Sequence, residues 1–213
     1  MKNAIELENV TKRIGQELLL NRINLAIPVG QIVGIVGQNG SGKSMLFKAI
    51  SGLIRITEGE VRVWGKDVGK HGNFPEDAGF LIERPGFLPH MSGLKNLEIL
   101  AGIQKKIGRE EIKETMRLVG LDPDLKRSFA KYSLGMKQKL GIAQALMEKP
   151  RLLVLDEPMN NLDEESIARL RKILVELNQE ENVTILMTSH DAQDIRMLCG
   201  SVYSIKNGEI NAM

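Results

Sequence analysis

The segment at positions 37–44 constrains the fold of this chain more than any other. It reads G-x-x-x-x-G-K-S and consists of Gly37, Gln38, Asn39, Gly40, Ser41, Gly42, Lys43 and Ser44. An apolar run at 32–36 predicts a buried strand before the segment, and a helix is predicted over 44–51 after it. In that setting glycines let the backbone wrap around phosphate groups, and the helix N-terminus adds positive potential. The segment therefore predicts a phosphate-binding loop, with Lys43 reaching the β- and γ-phosphates and the Ser44 hydroxyl ligating Mg²⁺.

Acidic residues and a histidine follow two further apolar runs. Asp156 and Glu157 come directly after the run at 152–155, and His190 comes shortly after the run at 183–187. Ligands of parallel sheets bind outside the carboxyl ends of the strands. We expect Asp156 to hold Mg²⁺ directly or through water, and Glu157 to act as general base on the attacking water. His190 is expected to touch the γ-phosphate and that water.

The rest of the strand pattern predicts an addition beside this parallel layer. Short strands are predicted at 4–10, 17–27 and 59–64, and Asn207-Gly208 predicts a hairpin within 202–210. We expect them to form a small antiparallel β region.

The segment 86–147 has a helical pattern and no good strand. Ser92 is placed to cap the first of its helices, and the predicted helices are 93–104, 108–119 and 134–147. The chain 1–213 is therefore predicted to be a single domain, with a core built from 1–85 and 148–213 and a helical insertion at 86–147.

Charge and hydropathy exclude two classes of protein. The 29 basic residues oppose 27 acidic ones and form no basic cluster, so the chain is not expected to bind nucleic acid. No apolar run approaches the roughly 20 residues that a membrane-spanning helix needs. If the chain serves a membrane, another chain must span it.

The segment Tyr132-Ser133-Leu134-Gly135-Met136 resembles the signature sequence of the ABC ATPases, commonly written LSGGQ. It lies before the Asp156-Glu157 pair, as it does in that family. Residues 160–163 resemble the family's D-loop, and His190 resembles its switch histidine. The order of these elements matches the family along essentially the whole chain.

This resemblance implies a fold, a mechanism and partners. The implied fold is α/β, a P-loop NTPase core of mostly parallel sheet with an antiparallel β subdomain and an inserted α-helical subdomain. Two nucleotide-binding domains, identical or different, would meet head to tail and sandwich ATP and Mg²⁺. Ser133 and Gly135 would bind the γ-phosphate of the partner's ATP, which agrees with their place at a helix N-terminus. An integral membrane subunit would hold the chain at the cytoplasmic face of the cell membrane.

Three departures from the common family pattern narrow the resemblance. Glu83 stands where most members carry a glutamine that contacts Mg²⁺ and relays nucleotide state to the membrane partner. Its carboxylate is expected to attend the metal together with Asp156. Leu134 and Met136 replace a glycine and a glutamine of the signature. Together these features resemble the bacitracin- and lantibiotic-type exporter ATPases, which mostly confer resistance to peptide antibiotics. Ile14 occupies the place of an aromatic residue that stacks on adenine, and because it lacks a π-face we predict weak base discrimination.

Two questions stay open at the level of sequence. The apolar stretch 87–91 could help a groove beside Glu83 and residues 84–100 to receive the membrane partner, or it could be buried locally. A soluble ABC protein acting in translation or DNA maintenance is the alternative to a transporter subunit. The single domain without a heptad run favours transport, and the complete catalytic set disfavours a regulatory domain that does not hydrolyse ATP.

Overall fold

The computed structural model describes residues 2–69, 73–83 and 86–213. Within these ranges the strands are β1 (Asn3–Ile14), β2 (Glu17–Pro28), β3 (Ile32–Val36), β4 (Glu58–Val63), β5 (Lys66–Asp67), β6 (Ala78–Leu81), β7 (Leu152–Leu155), β8 (Thr184–Thr188), β9 (Ser201–Lys206) and β10 (Glu209–Ala212). The helices are α1 (Lys43–Ile50), α2 (Gly93–Gln104), α3 (Arg109–Leu118), α4 (Leu134–Leu146), α5 (Glu164–Glu181) and α6 (Ala192–Leu198).

The larger sheet carries the predicted parallel layer. Its six strands run in the order β10-β9-β3-β8-β7-β6, and every neighbouring pair from β9 to β6 is parallel. Alternate residues of the central strands enter two different hydrophobic clusters. Leu153 and Leu155 of β7 face one cluster, whereas Leu152 and Val154 face the other. Burial on both faces explains why these strands read as unbroken apolar runs.

The smaller sheet is antiparallel, in the order β2-β1-β4-β5, which confirms the predicted antiparallel region. The C-terminal hairpin lies elsewhere than expected. β9 pairs in parallel with β3, and β10 then pairs antiparallel with β9, so the hairpin extends the larger sheet. Without it, β3 would present an unpaired edge of backbone amides and carbonyls beside the phosphate loop.

Two elements have weak sequence signals. The edge strand β6 contains Gly79, and a Cβ at that glycine would lie 1.9 Å from the backbone oxygen of Ala145. Glycine therefore lets α4 approach the sheet with backbone against backbone. Helix α6 has only seven residues and begins after Asp191, whose carboxylate accepts the amide hydrogen of Gln193.

The helices of the inserted segment form where the sequence predicts them. The Ser92 hydroxyl accepts the amide hydrogen of Lys95 and caps α2, and the Ser133 hydroxyl does the same for Met136 at the start of α4. In the stretch 87–91, Phe87 packs on Phe129 with ring centroids 5.1 Å apart, whereas residues 88–90 are exposed. Leu88 remains exposed in part. No helix in the described part of the chain is long and apolar enough to cross a membrane.

Candidate functional site

The phosphate loop joins β3 to α1 and depends on its glycines. Gly40 and Gly42 have φ angles of 78° and 112°, a region that favours glycine. A Cβ at Gly37 would lie 2.4 Å from the backbone oxygen of Ile205 in β9. The loop is thus held against the C-terminal hairpin, with its amides near the N-terminus of α1.

Lys43 is the first residue of α1 and lies largely within the loop. Its ammonium donates to the carbonyl oxygens of Gly37 at 2.7 Å and Gln38 at 3.0 Å. Only 7% of the residue is exposed. An ammonium group has three donors, so one remains to reach a phosphate oxygen.

Ser44 and Asp156, two of the three predicted metal ligands, lie together. The Ser44 hydroxyl donates to Oδ2 of Asp156 at 2.6 Å, although the two residues are 112 positions apart. Mg²⁺ prefers such oxygen ligands and commonly completes its shell with water and substrate phosphates. The pair fits that ion. No cluster of three or more histidine, cysteine or acidic residues suited to a metal occurs among the residues that the structure describes.

Glu157 is held from several directions. It has a φ of 51°, a left-handed conformation that is unfavourable for a non-glycine residue. Its amide donates to the Thr188 hydroxyl at 2.8 Å, and its carbonyl accepts from the Gln138 side chain at 3.1 Å. Its carboxylate contacts Nε2 of His190 and accepts from the Asn160 side chain. The predicted general base and switch histidine therefore touch.

The loop that carries His190 is held in place by a hydrogen bond from Ser189, the residue before it, to the buried Asp194. The Ser189 hydroxyl donates to Asp194 at 2.7 Å, and Asp194 is 2% exposed and paired with Arg171 of α5.

Burial, and secondarily the charge of Asp194, raise the pKa of the Cys199 thiol to about 12. Cys199 is therefore a packing residue and not a nucleophile at neutral pH.

Glu83 lies just after β6, with a φ of 57°. Its carboxylate pairs with the Lys48 ammonium at 2.5 Å. Lys48 lies one helical turn after Ser44 on α1, so Glu83 is drawn toward the same face of that helix. Within the part of the chain that the structure describes, no hydrogen bond joins Glu83 to Asp156 or Ser44, so its role as a metal ligand remains a prediction.

Of three further predicted residues, Ile14 and Ser133 are exposed and Gly135 is half-buried. Ile14 ends β1 with 57% of its area exposed. Ser133 caps α4, and a Cβ at Gly135 would lie 2.8 Å from the backbone oxygen of Asn161. Leu134, which follows Ser133, is 59% exposed. A surface that presents a helix N-terminus and an exposed leucine can meet another molecule.

Thr188 and Gln138 were not among the predicted site residues, and Asn160 was identified only as part of the segment 160–163 that resembles the D-loop. A signal for Thr188 existed, since it is a polar residue at the end of an apolar strand. Gln138 donates to the carbonyls of Glu157 and of Pro158, at 3.1 and 3.0 Å. Nothing in its local sequence distinguishes it from an ordinary exposed helix residue.

Known proteins resemble this chain in sequence over almost its whole length. The family model described as "ABC transporter" matches residues 20–160. The chain is 37% identical over 211 residues to the bacitracin transport ATP-binding protein BcrA of Enterococcus faecalis, covering 99% of this chain and 68% of that protein. It is 33% identical over 206 residues to the lantibiotic transport ATP-binding protein SrtF of Streptococcus pyogenes, covering 97% of this chain and 88% of that protein.

A solved structure agrees with these relatives. The dimeric post-hydrolysis state of the ATP-binding cassette MJ0796, bound to ADP and Pi, superposes with a TM-score of 0.88 at 26% identity. The match covers 98% of this chain and 97% of that chain. The arrangement of strands around the phosphate loop is therefore one that is known to accommodate nucleotide.

Proposed function

Because this chain belongs to the ABC transporter family and is an ATP-binding, ATP-hydrolysing subunit, we propose that it drives the export of a peptide antibiotic through a separate membrane-spanning chain. The observation that carries the hydrolytic part is the convergence of Ser44, Asp156, Glu157 and His190 at the carboxyl edge of the parallel sheet. The similarity to bacitracin and lantibiotic transport proteins supports the proposed cargo.

The proposed mechanism is positioning and charge stabilisation at this edge. Lys43 and the amides of residues 39–44 hold the phosphates of ATP. Ser44 and Asp156 would hold Mg²⁺, which supplies positive charge to the phosphate oxygens when bound. Glu157 accepts a proton from the attacking water, and His190, now against the Glu157 carboxylate, contacts the γ-phosphate.

The proposed active unit is a head-to-tail pair of such subunits, identical or different. Ser133 and Gly135 of one subunit would complete the site of the other, because a helix N-terminus with a serine hydroxyl binds anions well. In this proposal, residues 1–85 and 148–213 form the ATP-binding core and 86–147 the helical signature subdomain. The membrane partner would dock beside Glu83 and hold the subunit at the cytoplasmic face; Arg84 and Pro85 of that groove lie outside the described residues.

A growth assay tests the proposed cargo. The chain and its membrane partner, expressed together in a sensitive host, are expected to raise the concentration of bacitracin or of a lantibiotic needed to stop growth. The same pair carrying Glu157→Gln should give no protection. Unchanged sensitivity to both peptide classes, with active ATPase in the membrane fraction, would refute peptide-antibiotic export. Purification of the active chain with no membrane protein would favour the soluble alternative.

Base selectivity provides a test of Ile14. The wild-type chain is expected to bind GTP nearly as well as ATP, because an exposed isoleucine covers a base without a π-face. Ile14→Tyr should tighten the binding of both nucleotides by about threefold to tenfold, the range that an added stacking interaction supplies. Competition between the two nucleotides for a fluorescent ATP analogue measures this, with Ile14→Val as control. Strong ATP preference in the wild type would contradict the prediction.

The metal requirement tests Glu83. Glu83→Gln is expected to raise the Mg²⁺ concentration for half-maximal hydrolysis by about tenfold, the scale of losing a supporting carboxylate at a metal site. Lys48→Met is the matched control, because it breaks the same ion pair and keeps the carboxylate. If the two variants shift the Mg²⁺ requirement equally, Glu83 acts through the ion pair and not on the metal.

A further inference from the structure

Thr188 occupies the position between the phosphate loop and the two acidic residues. It is the last residue of β8, is fully buried, and pairs in register with Ile35 of β3. On its other side β8 pairs with β7, which leads directly into Asp156 and Glu157. A polar side chain at this position can reach both acidic residues from the neighbouring strand.

The Thr188 hydroxyl makes two hydrogen bonds of opposite sense. It donates to Oδ1 of Asp156 at 2.8 Å and accepts the amide hydrogen of Glu157 at 2.8 Å. A hydroxyl has a single proton, so its donor is committed to the Asp156 carboxylate. The other oxygen of that carboxylate, Oδ2, accepts from Ser44 at 2.6 Å. A continuous chain of hydrogen bonds therefore runs from Ser44 through Asp156 and Thr188 to the backbone of Glu157.

This series of hydrogen bonds ends at a residue whose backbone conformation is unfavourable. Glu157 has a left-handed conformation, which surrounding contacts must maintain in a non-glycine residue. The direction of its side chain depends on that conformation. The Thr188 hydroxyl fixes the amide of Glu157 relative to the carboxylate of Asp156, so the two acidic residues are oriented as one unit.

We propose that Thr188 is a positioning residue for hydrolysis, whose hydroxyl sets the Asp156 carboxylate and the Glu157 backbone together so that Glu157 faces the attacking water. This inference rests on the proposed roles of Asp156 and Glu157. It predicts that Thr188 affects turnover and the metal requirement more than nucleotide affinity, because the phosphates are held mainly by Lys43 and the loop amides.

A second threonine in the same strand provides a control that distinguishes the proposed positioning role from ordinary packing. Thr184 begins β8, is equally buried, and its hydroxyl accepts the amide hydrogen of Gly30 at 2.9 Å. It lies at the end of the strand away from the acidic residues. Replacing either threonine by valine removes one buried hydroxyl and nearly preserves side-chain shape.

The experiment compares Thr188→Val, Thr188→Ser, Thr184→Val and Glu157→Gln. Steady-state ATP hydrolysis gives kcat and KM, Mg²⁺ titration gives the half-saturating concentration, and a fluorescent ADP in the absence of Mg²⁺ gives nucleotide affinity. Thr188→Val is expected to lower kcat by about tenfold to a hundredfold, the cost of a misplaced catalytic group. It should also raise the Mg²⁺ requirement and leave ADP affinity within about threefold. Thr188→Ser keeps the hydroxyl and should restore most of the activity.

The outcomes separate this proposal from the proposed function. Native-like kcat in Thr188→Val with an inactive Glu157→Gln overturns the role of Thr188 and leaves the general base in place. Equal losses of kcat in Thr188→Val and Thr184→Val also overturn it, because any buried hydroxyl would then suffice. Native-like hydrolysis by Glu157→Gln refutes the general base itself. If Thr188→Val does not fold, Thr188→Ala replaces it, and full activity in that variant overturns the proposal.

Discussion

Replacing Glu157 by glutamine is expected to reduce turnover by about a hundredfold to ten-thousandfold, the usual contribution of a general base. Glutamine has nearly the same shape, and its amide oxygen can still accept the hydrogen bond that Asn160 now donates to the carboxylate. It cannot accept a proton from water. The phosphate loop is unchanged, so ATP should bind and hold two subunits together. Steady-state hydrolysis and size-exclusion chromatography with ATP measure the two effects.

A matched control for this variant is Glu165→Gln, which makes the same chemical change at an exposed carboxylate in the first turn of α5. It should hydrolyse ATP at the wild-type rate and dissociate after turnover. If Glu157→Gln hydrolyses at the wild-type rate, another group activates the water. If it is inactive but remains monomeric with ATP, the proposed head-to-tail pair is wrong for this chain.

Gly79→Ala is expected to cost about 3 kcal/mol of unfolding free energy, at the upper end of the cost of overpacking. The added Cβ would lie 1.9 Å from the backbone oxygen of Ala145 and 3.0 Å from Cδ2 of Leu153. Because the closer atom belongs to the backbone of α4, it cannot turn aside as a flexible side chain could. The helix would have to move away from the sheet. Urea unfolding measures the change.

Gly102→Ala is the control for that measurement. Gly102 lies in α2, and a Cβ there meets nothing within 4 Å. Alanine should therefore stabilise the chain by about 0.5–1 kcal/mol through its higher helix propensity. Native stability in Gly79→Ala would show that α4 is not packed as closely on β6 as the structure has it.

The elements with strong local signals are those that the sequence predicts well. The glycine-rich loop, the apolar runs at β3, β7 and β8, and the Ser92 cap of α2 each depend on residues close together in the chain. The pairing of Ser44 with Asp156 also follows, because parallel strands end at a common edge.

What the sequence does not predict depends on contacts between distant segments. The hairpin at β9 and β10 has a clear turn signal, but which sheet it joins depends on the free edge of β3. β6 is missed because its close approach to α4 needs small residues instead of a long apolar run. The Glu83–Lys48 ion pair joins residues 35 positions apart, and no local sequence pattern predicts such a contact.

The side chain of Gln138 connects α4 to the loop that carries Glu157, a contact that the local sequence does not predict. Gln138 donates to the carbonyls of Glu157 and Pro158, while Ser133 caps the N-terminus of the same helix. A rotation of α4 against the sheet that separated Gln138 from these carbonyls would cost about 0.5–1.5 kcal/mol for each hydrogen bond. In the proposed pair of subunits, the helix whose N-terminus meets one ATP is thus hydrogen-bonded to the backbone of the residue that hydrolyses the other. Cooperative hydrolysis, with a Hill coefficient for ATP above one, is the kinetic consequence of that connection.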